Sequence, residues 1–227
     1  MIQTLLLLTL CCQDDKAVAD AIEKFKAAYR GPSATARAAA VSQLSLTPHQ
    51  KTFNSLAPLL TGEVKEVRLA AIRGLASFKD QKKYATPALL NALSVTQKEP
   101  DVSAAVLGSL GKLKDETALP QITARFRKEH ITIAKAAVLS AGEIGNWDAL
   151  TSLHELSKDL QKWSKAGNGG GYFDDAGVGE ASAQTARVQA LMAEVVKAFQ
   201  IASKEQWTTL AEWEVWYKRR ANNPDKK

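Results

Sequence analysis

The chain has 227 residues, of which 45% are hydrophobic and 24% are charged, and its low glycine and proline content fits an ordered helical protein. A formal net charge of +6 permits an anionic partner without requiring one. The two cysteines, Cys11 and Cys12, are adjacent, so the sequence implies neither a structural disulfide nor a cysteine-based metal site.

The first twelve residues, MIQTLLLLTLCC, carry no charged side chain, and the sequence becomes polar at Gln13. This pattern predicts a secretory signal over residues 1–12 and export to the periplasm or cell envelope. The segment is too short to span a bilayer as a helix. No Lys or Arg precedes the leucines and no A-x-A site follows them. Two alternatives for residues 1–12 therefore stay open. They could carry a lipid anchor on Cys11 or Cys12, or they could form a buried N-terminal turn of the folded protein.

Residues 13–32 are predicted to form an N-terminal capping helix. Val18, Ile22, Phe25 and Tyr29 recur at helical spacing, and Gly31-Pro32 ends the pattern. A helix at the end of a repeat array needs one polar face, because nothing packs outside it.

Residues 33–163 are predicted to form four repeats of two helices each. The first helix is clearest at residues 63–80, EVKEVRLAAIRGLASFKD, where one face carries Val64, Val67, Ala71, Gly74, Leu75 and Phe78. Residues equivalent to Val67 occur at Ala36, Val102 and Ile133. Residues equivalent to Leu75 occur at Leu44, Leu110 and Ala141. In both series, successive positions are 31, 35 and 31 residues apart. Second helices are expected at 48–60, 82–94, 116–128 and 147–163, the first opened by a capping box from Thr47 to Gln50. This period predicts a helical solenoid.

The second repeat resembles a HEAT repeat of the short, bacterial, PBS-lyase-like kind, which has an armadillo-type fold. The matching residues are Val67, Arg68, Ala70, Ala71, Leu75, Asp80, Pro87 and Leu90. The resemblance implies an all-α, α-α superhelix of about five helical pairs plus the N-terminal helix. It also implies a structural ladder of hydrogen bonds between repeats, assigned to Arg68 and Asp80 and more loosely to Arg37 and Asp115. Ser103 replaces the arginine in the third repeat and Asn146 replaces the acid in the fourth, so we expect those repeats to be less regular.

Residues 164–182, SKAGNGGGYFDDAGVGEAS, interrupt the repeats. The sequence step from Ile133 to the matching Val188 is 55 residues, which leaves an insertion of 20–24 residues. Its three consecutive glycines exclude a stable helix. Tyr172 and Phe173 either anchor the loop on the solenoid or are presented to a partner. The candidate partner-binding residues are Tyr172, Phe173, Asp174 and Asp175.

Residues 183–221 are predicted to form a tryptophan-rich helical pair, followed by a frayed basic tail at 222–227. A second capping box is expected at Ser203–Gln206. The next helix places Trp207, Leu210, Trp213 and Tyr217 on one broad face. This face either closes the solenoid as an aromatic plug or serves as a platform for a carbohydrate or hydrophobic ligand.

No pattern for catalysis, metal binding or a cofactor is present, because the three histidines lack metal-ligand spacing and no nucleophile–base set is found. We therefore expect a non-enzymatic scaffold or protein–protein interaction module, with a protein partner. One alternative is a nucleic-acid-binding or repair protein with a basic concave face. Its candidate side chains are Lys51, Lys82, Lys83, Arg125, Arg127 and Lys128. Another alternative is a lyase-like or chaperone-like partner of a separate enzyme.

Overall fold

The computed structural model describes residues 2–128, 130–166 and 181–223, and every regular element in these ranges is helical. The all-α fold class predicted from the sequence is therefore confirmed. The helices fall into two compact units, residues 1–95 and residues 96–227. None of the helices in the described ranges is long and apolar enough to cross a membrane.

The first unit contains five α-helices. They are α1 (Ile2–Tyr29), α2 (Ala34–Leu44), α3 (Gln50–Leu56), α4 (Lys65–Leu75) and α5 (Lys82–Val95), with short 3₁₀ helices at Ala57–Leu60 and Lys79–Gln81. Helix α1 packs on α2 and α3, and α2 packs on α4. Helix α1 begins at Ile2, so it continues through the segment predicted as a signal and starts earlier than the capping helix expected from residue 13.

The second unit contains seven α-helices. They are α6 (Pro100–Leu113), α7 (Leu119–Thr123), α8 (Arg125–Lys128), α9 (Ile131–Ile144), α10 (Trp147–Ala166), α11 (Ala181–Ser203) and α12 (Leu210–Ala221), with a 3₁₀ helix at Glu116–Ala118. The helix expected over 116–128 is thus divided into three short pieces. Helix α9 packs between α6 and α11, and α10 packs against both α9 and α11.

The predicted repeat register agrees with burial within each unit. The recurring positions Leu44, Leu75, Leu110 and Ala141 are all buried, and so are Val41, Ile72, Leu107 and Val138 at the same steps. Complete burial of the leucine, isoleucine and valine side chains among them contributes about 1.5–3 kcal/mol each. Two positions expected on the apolar face are exposed. Ala36 lies in the first turn of α2, and Val64, at 45% exposure, is the residue before α4.

The core helices of the second unit approach each other closely at two glycines. A Cβ on Gly111 of α6 would lie 2.8 Å from Ser140 Cα, and one on Gly142 of α9 would lie 2.7 Å from Ala198 Cα of α11. The Ser140 hydroxyl donates to Leu107 O at 2.7 Å, which links α9 to α6. Gly111 and Gly142 are equivalent positions of α6 and α9, one repeat step apart. The residues that they contact, Ser140 and Ala198, are therefore equivalent positions of α9 and α11, and they are 58 residues apart (198 − 140). The expected step of 55 to Val188 was therefore wrong by about one helical turn.

The capping boxes predicted at Thr47–Gln50 and Ser203–Gln206 were wrong, because the boxes that cap α3 and α12 use other residues. Helix α3 is capped by His49, whose Nδ1 accepts from Lys51 N while Thr52 Oγ1 accepts from His49 N. Thr52 supplies the reciprocal side-chain acceptor that Gln50 was expected to supply. Helix α12 is capped in the same way by Thr209 and Glu212.

Ser203 was expected to cap the last helix, but it is the final residue of α11. Its hydroxyl instead accepts the indole N–H of Trp207 at 2.7 Å and the backbone N–H of Glu205 at 3.2 Å. Lys204 then takes a left-handed conformation with φ 60°, which ends α11. The chain runs without helix to the true N-cap, Thr209.

Candidate interaction surfaces and the predicted site residues

The predicted partner-binding residues Tyr172, Phe173, Asp174 and Asp175 lie outside the described part of the chain. The two helices that flank this segment are described. Helix α10 ends at Ala166, and α11 begins at Ala181 and packs against α10. The assignment of these four residues to partner binding stays a prediction.

Arg37, one of the ladder residues, takes part in a polar cluster of the first unit. Its guanidinium lies 3.7 Å from Glu63 Oε2 and donates to Pro32 O at 3.5 Å. Glu63 also accepts the Tyr29 hydroxyl at 2.5 Å, and this bond is the largest cause of the lowered pKa of its carboxyl. Burial first, and then Glu63, raises the pKa of Tyr29 to about 12. The acidic partner of Arg37 is therefore Glu63, which the sequence analysis did not single out.

The other ladder residues occupy different surroundings. Arg68 is half-buried on α4, whereas Asp80 is exposed within the 3₁₀ helix Lys79–Gln81. Asp115 is buried, and its Oδ1 accepts from Thr117 N at 3.1 Å and from Thr117 Oγ1 at 2.8 Å. Asp115 is therefore the N-cap of the 3₁₀ helix that follows it. The pairing of Arg68 with Asp80 stays a prediction.

Ser103 occupies the position at which the repeat pattern has arginine, and like Arg37 it donates a hydrogen bond to a backbone carbonyl before its helix. The Ser103 hydroxyl is buried and donates to Thr96 O at 2.7 Å, in the turn before α6. Arg37 likewise donates to a carbonyl of the segment before its own helix, that of Pro32. Both side chains thus donate to a carbonyl of the incoming chain. Only the Thr96 site is buried, where an unpaired carbonyl would be costly.

An aromatic cluster joins α10, α11 and α12 in the second unit. Trp213 of α12 is fully buried and stacks on Phe199 of α11 with ring centroids 3.7 Å apart. Trp216 lies 4.6 Å from Trp213 and 5.9 Å from Trp207. The burial of Trp213 places it in the core, as the plug interpretation expects. Trp207 and Trp216 are half-buried, so part of their indole surface faces solvent.

A second group of rings lies where α12 crosses α10. Tyr217 stacks on Trp147 with centroids 5.0 Å apart and planes 3° apart, and on His154 at 4.1 Å and 23°. The Tyr217 hydroxyl lies 3.1 Å from Thr151 Oγ1. The sequence predicted an aromatic face on α12 but gave no sign of His154, because its burial depends on where α12 docks.

Several basic side chains of the nucleic-acid alternative already have partners. In the first unit, Lys51 lies 2.8 Å from Asp15, and Lys83 lies over the Tyr84 ring at 4.8 Å. In the second unit, Arg127 forms an ion pair with Asp159. Arg125 donates to Gln121 O at 2.6 Å. The carboxylates of Asp15 and Asp159 offset the charge of Lys51 and Arg127. The contacts of Lys83 and Arg125 leave their charge in place, and Lys82 and Lys83 are exposed.

Two open grooves run along α2. One lies between α1 and α2, has a volume of about 450 Å³, and has Phe25 and Leu44 on its walls. The other lies between α2 and α4, has a volume of about 510 Å³, and has a floor of small side chains between Glu66 and Arg73. Both are shallow surfaces open to solvent, which suit a flat macromolecular contact better than an enclosed small molecule.

Each of the three histidines has a structural position. His49 caps α3 and His130 caps α9, each accepting a backbone N–H at Nδ1, and His154 is buried in the ring stack. Within the described ranges, no group of three or more His, Cys, Asp or Glu side chains could hold a metal ion. Histidine N-caps were missed from the sequence because the usual cap residues are Ser, Thr, Asp and Asn.

The comparisons with known proteins agree with the helical pairs. No curated protein matches the chain. A family model for HEAT repeats matches residues 86–164, and a model for the PBS lyase HEAT-like repeat matches residues 67–94. The second match covers α4 after its first turn and nearly all of α5, the repeat whose residues carry the resemblance. The chain therefore contains HEAT repeats over residues 67–164, and its fold is an all-α helical-repeat solenoid.

Proposed function

We propose that this chain is a non-enzymatic scaffold that binds a protein partner. The observation that carries the proposal is the set of HEAT-type helical pairs, whose regular 31–35-residue steps are interrupted once, between α10 and α11. HEAT repeats are scaffold and interaction modules. Long insertions in repeat proteins map to one face, often the binding face.

Support for a non-enzymatic role comes from the positions of the groups that could do acid–base chemistry. His49 and His130 are engaged in helix caps, and burial lowers the pKa of His154. Asp115 is occupied as a cap. A catalytic base must reach a substrate proton, and these groups are committed to backbone or ring contacts.

The proposed binding element is the segment between α10 and α11, through Tyr172, Phe173, Asp174 and Asp175. The two helices that flank it each contact another helix of the second unit. Helix α10 is tied to α8 by the ion pair of Arg127 and Asp159, and α11 is packed on α9 at Gly142. An insertion between two packed helices can display aromatic side chains without disturbing the repeats.

The test replaces Gly167–Gly179 by a short Gly/Ser linker and compares both proteins in pull-downs from the native extract, followed by mass spectrometry. We expect the replacement to abolish partner capture. Because closing a shorter loop changes the free energy by less than about 1 kcal/mol, the melting temperature should hardly move. A double variant, Tyr172→Ala with Phe173→Ala, should lose the same partners, whereas Asn168→Ala should keep them.

The opposite outcome separates the two interpretations of the loop. Burial of an anchoring Tyr172 or Phe173 contributes about 1.5–3 kcal/mol each, so replacement of an anchor would lower the melting temperature by several degrees. A large thermal loss together with unchanged partner capture would refute the proposed binding role.

Nucleic-acid binding is the alternative function, and Lys82 and Lys83 are the exposed side chains that favour it. It predicts that affinity for a polynucleotide falls steeply with salt, because phosphate contacts release counterions. Lys82→Gln with Lys83→Gln should then reduce that salt dependence. An affinity that is weak at low salt and insensitive to these substitutions would eliminate this alternative.

We also propose that the protein is exported to the periplasm or cell envelope. The support is the uncharged leucine run before the polar switch at Gln13. N-terminal sequencing of natively expressed protein should begin near residues 11–13, and a lipid on Cys11 or Cys12 would appear as added mass. Recovery of the chain from the cytosol with Met1 intact would contradict export.

A further inference from the structure

One face of α10 carries three residues that all contact Tyr217. Trp147, Thr151 and His154 are spaced by four and three residues, which places them on the same side of the helix. The Tyr217 ring lies 5.0 Å from Trp147 and 4.1 Å from His154, measured between centroids, and its hydroxyl lies 3.1 Å from Thr151. Tyr217 thus links the C-terminal half of α12 to three residues of α10.

His154 is the titratable group at the centre of this contact. Its residue is only 5% exposed, and its Nδ1 has no hydrogen-bond partner among the described residues. An imidazolium in this position would carry a second buried N–H that also needs an acceptor. The neutral ring is therefore the form that fits the stack.

The charged groups around His154 do not offer a free counter-ion. Lys158 lies on its own helix, and Glu214 and Lys218 lie on α12. Glu214 is bound to Lys218 at 2.8 Å. His154 is thus near two lysines and one carboxylate, and that carboxylate is already paired with a lysine. This excess of positive charge disfavours the protonated imidazole.

The other helices packed near α10 bring a charged group of their own. Glu194 of α11 lies 3.8 Å from Lys135 of α9 and 3.2 Å from Lys197 of its own helix. This carboxylate is shared between two lysines. It belongs to the α9–α11 contact rather than to the Tyr217 stack.

We propose that His154 makes the docking of α12 on α10 dependent on protonation: the neutral imidazole holds Tyr217, and the imidazolium loosens it. The proposal stands apart from partner binding and does not depend on it. Burial is the largest cause of the lowered pKa of His154, followed by Lys158. A cation over the tyrosine face gains some attraction, but here the cost of burying the charge outweighs it.

The lowered pKa of His154 determines how the docking of α12 changes with pH. Above about pH 6.5, the ordinary histidine value, both the docked and the released states are neutral and the full contact is present. As the pH falls below that value, the released state takes up a proton first, so the docked state loses stability down to its own lower pKa. Docking therefore weakens on acidification and not on alkalinisation.

The loosening should be confined to one end of α12. Trp213 stays stacked on Phe199 at 3.7 Å and is fully buried, so the first turns remain attached to α11. Tyr217 lies one turn later, nearer the end of the helix at Ala221. The segment expected to respond is therefore residues 214–221.

Hydrogen exchange on the full chain between pH 7.5 and 5, corrected for the intrinsic rate, tests the proposal. We expect amide protection over residues 214–221 to fall on acidification while protection of α9 is retained. His154→Phe keeps a buried ring but no titratable nitrogen, and it should abolish this pH dependence, as should His154→Gln. In NMR, the His154 ring should titrate below the ordinary histidine value of about 6.5.

Two results would overturn the proposal. One is an unchanged protection of residues 214–221 across this pH range in the native chain. The other is an equal acid-induced loss in His154→Phe, provided that this variant is as protected as the native chain at pH 7.5. If His154→Phe does not fold, Tyr217→Phe provides the second comparison, because it retains the stack and the histidine and should keep the pH dependence.

Discussion

Gly142 of α9 and Ala198 of α11 are so close that a side chain on the glycine would lie 2.7 Å from both the Cα and the carbonyl oxygen of Ala198. Real Cβ atoms do not approach backbone atoms at this distance. The two helix backbones are therefore in direct contact at this point, and the separation of α9 and α11 is set by the absence of a side chain.

Gly142→Ala should destabilise the second unit by about 1–3 kcal/mol, because overpacking forces the backbones apart. Gly108→Ala on α6 is the matched control, since its Cβ would meet nothing within 4 Å. That change should be neutral or should stabilise by up to about 1 kcal/mol through helix propensity. Urea unfolding followed by circular dichroism measures both. Equal effects of the two substitutions would contradict the close contact.

If Arg68 belongs to the structural ladder, Arg68→Ala should destabilise the first unit by about 1–3 kcal/mol, because the ladder partner of this half-buried guanidinium would be left unsatisfied. Arg73 lies on the exposed side of the same helix, so Arg73→Ala serves as the control. Its free energy of unfolding should change by no more than about 0.5 kcal/mol. Both are measured by urea unfolding. A loss for Arg68→Ala no larger than that of Arg73→Ala would remove Arg68 from the structural ladder.

Trp213→Ala should destabilise the second unit by about 3–5 kcal/mol, because it empties a fully buried position stacked on Phe199. Trp216→Ala should cost clearly less, since this indole is half-buried at the edge of the cluster. Thermal unfolding of the two variants decides between the roles of the aromatic face. Comparable small losses would favour the ligand platform over the core plug.

The contact between Tyr29 and Glu63 should weaken in alkali. The pKa of Tyr29 is raised to about 12 in the folded chain, above the ordinary value of 10, so its stabilising effect is complete below pH 10 and is lost as the pH rises towards 12. An ionised Tyr29 would repel Glu63 and could no longer donate. Ultraviolet titration of tyrosinate in the native chain should show a late step that Tyr29→Phe removes. Glu63→Gln should shift this step to lower pH.

The repeat period was readable from the sequence because it reports burial. Leu44, Leu75, Leu110 and Ala141 recur at fixed steps because each lies in the core of its unit. The same period does not report where a helix begins. Ala36 and Val64 therefore matched the pattern but are exposed, since they occupy the first turn of α2 and the N-cap of α4.

The features that were not predicted from the sequence depend on contacts between residues that are far apart along the chain. The register of α11 could not be derived from the insertion, because its 58-residue step is fixed by the packing of Ala198 on Gly142. The Glu63 cluster depends on Tyr29, which is 34 residues away. His154 is buried only because α12 returns to α10. The candidate binding residues 172–175 stay a sequence prediction.

The distribution of tryptophan has a practical consequence for experiments on this protein. All five tryptophans lie between positions 147 and 216, so indole fluorescence reports on the second unit alone. Tyr29 and Tyr84 are the chromophores left to the first unit. Trp213 and Trp216, 4.6 Å apart and tilted by 32°, are close enough to couple as an exciton pair in circular dichroism. Unfolding of the second unit can thus be followed in the whole chain by its tryptophan signals without any label.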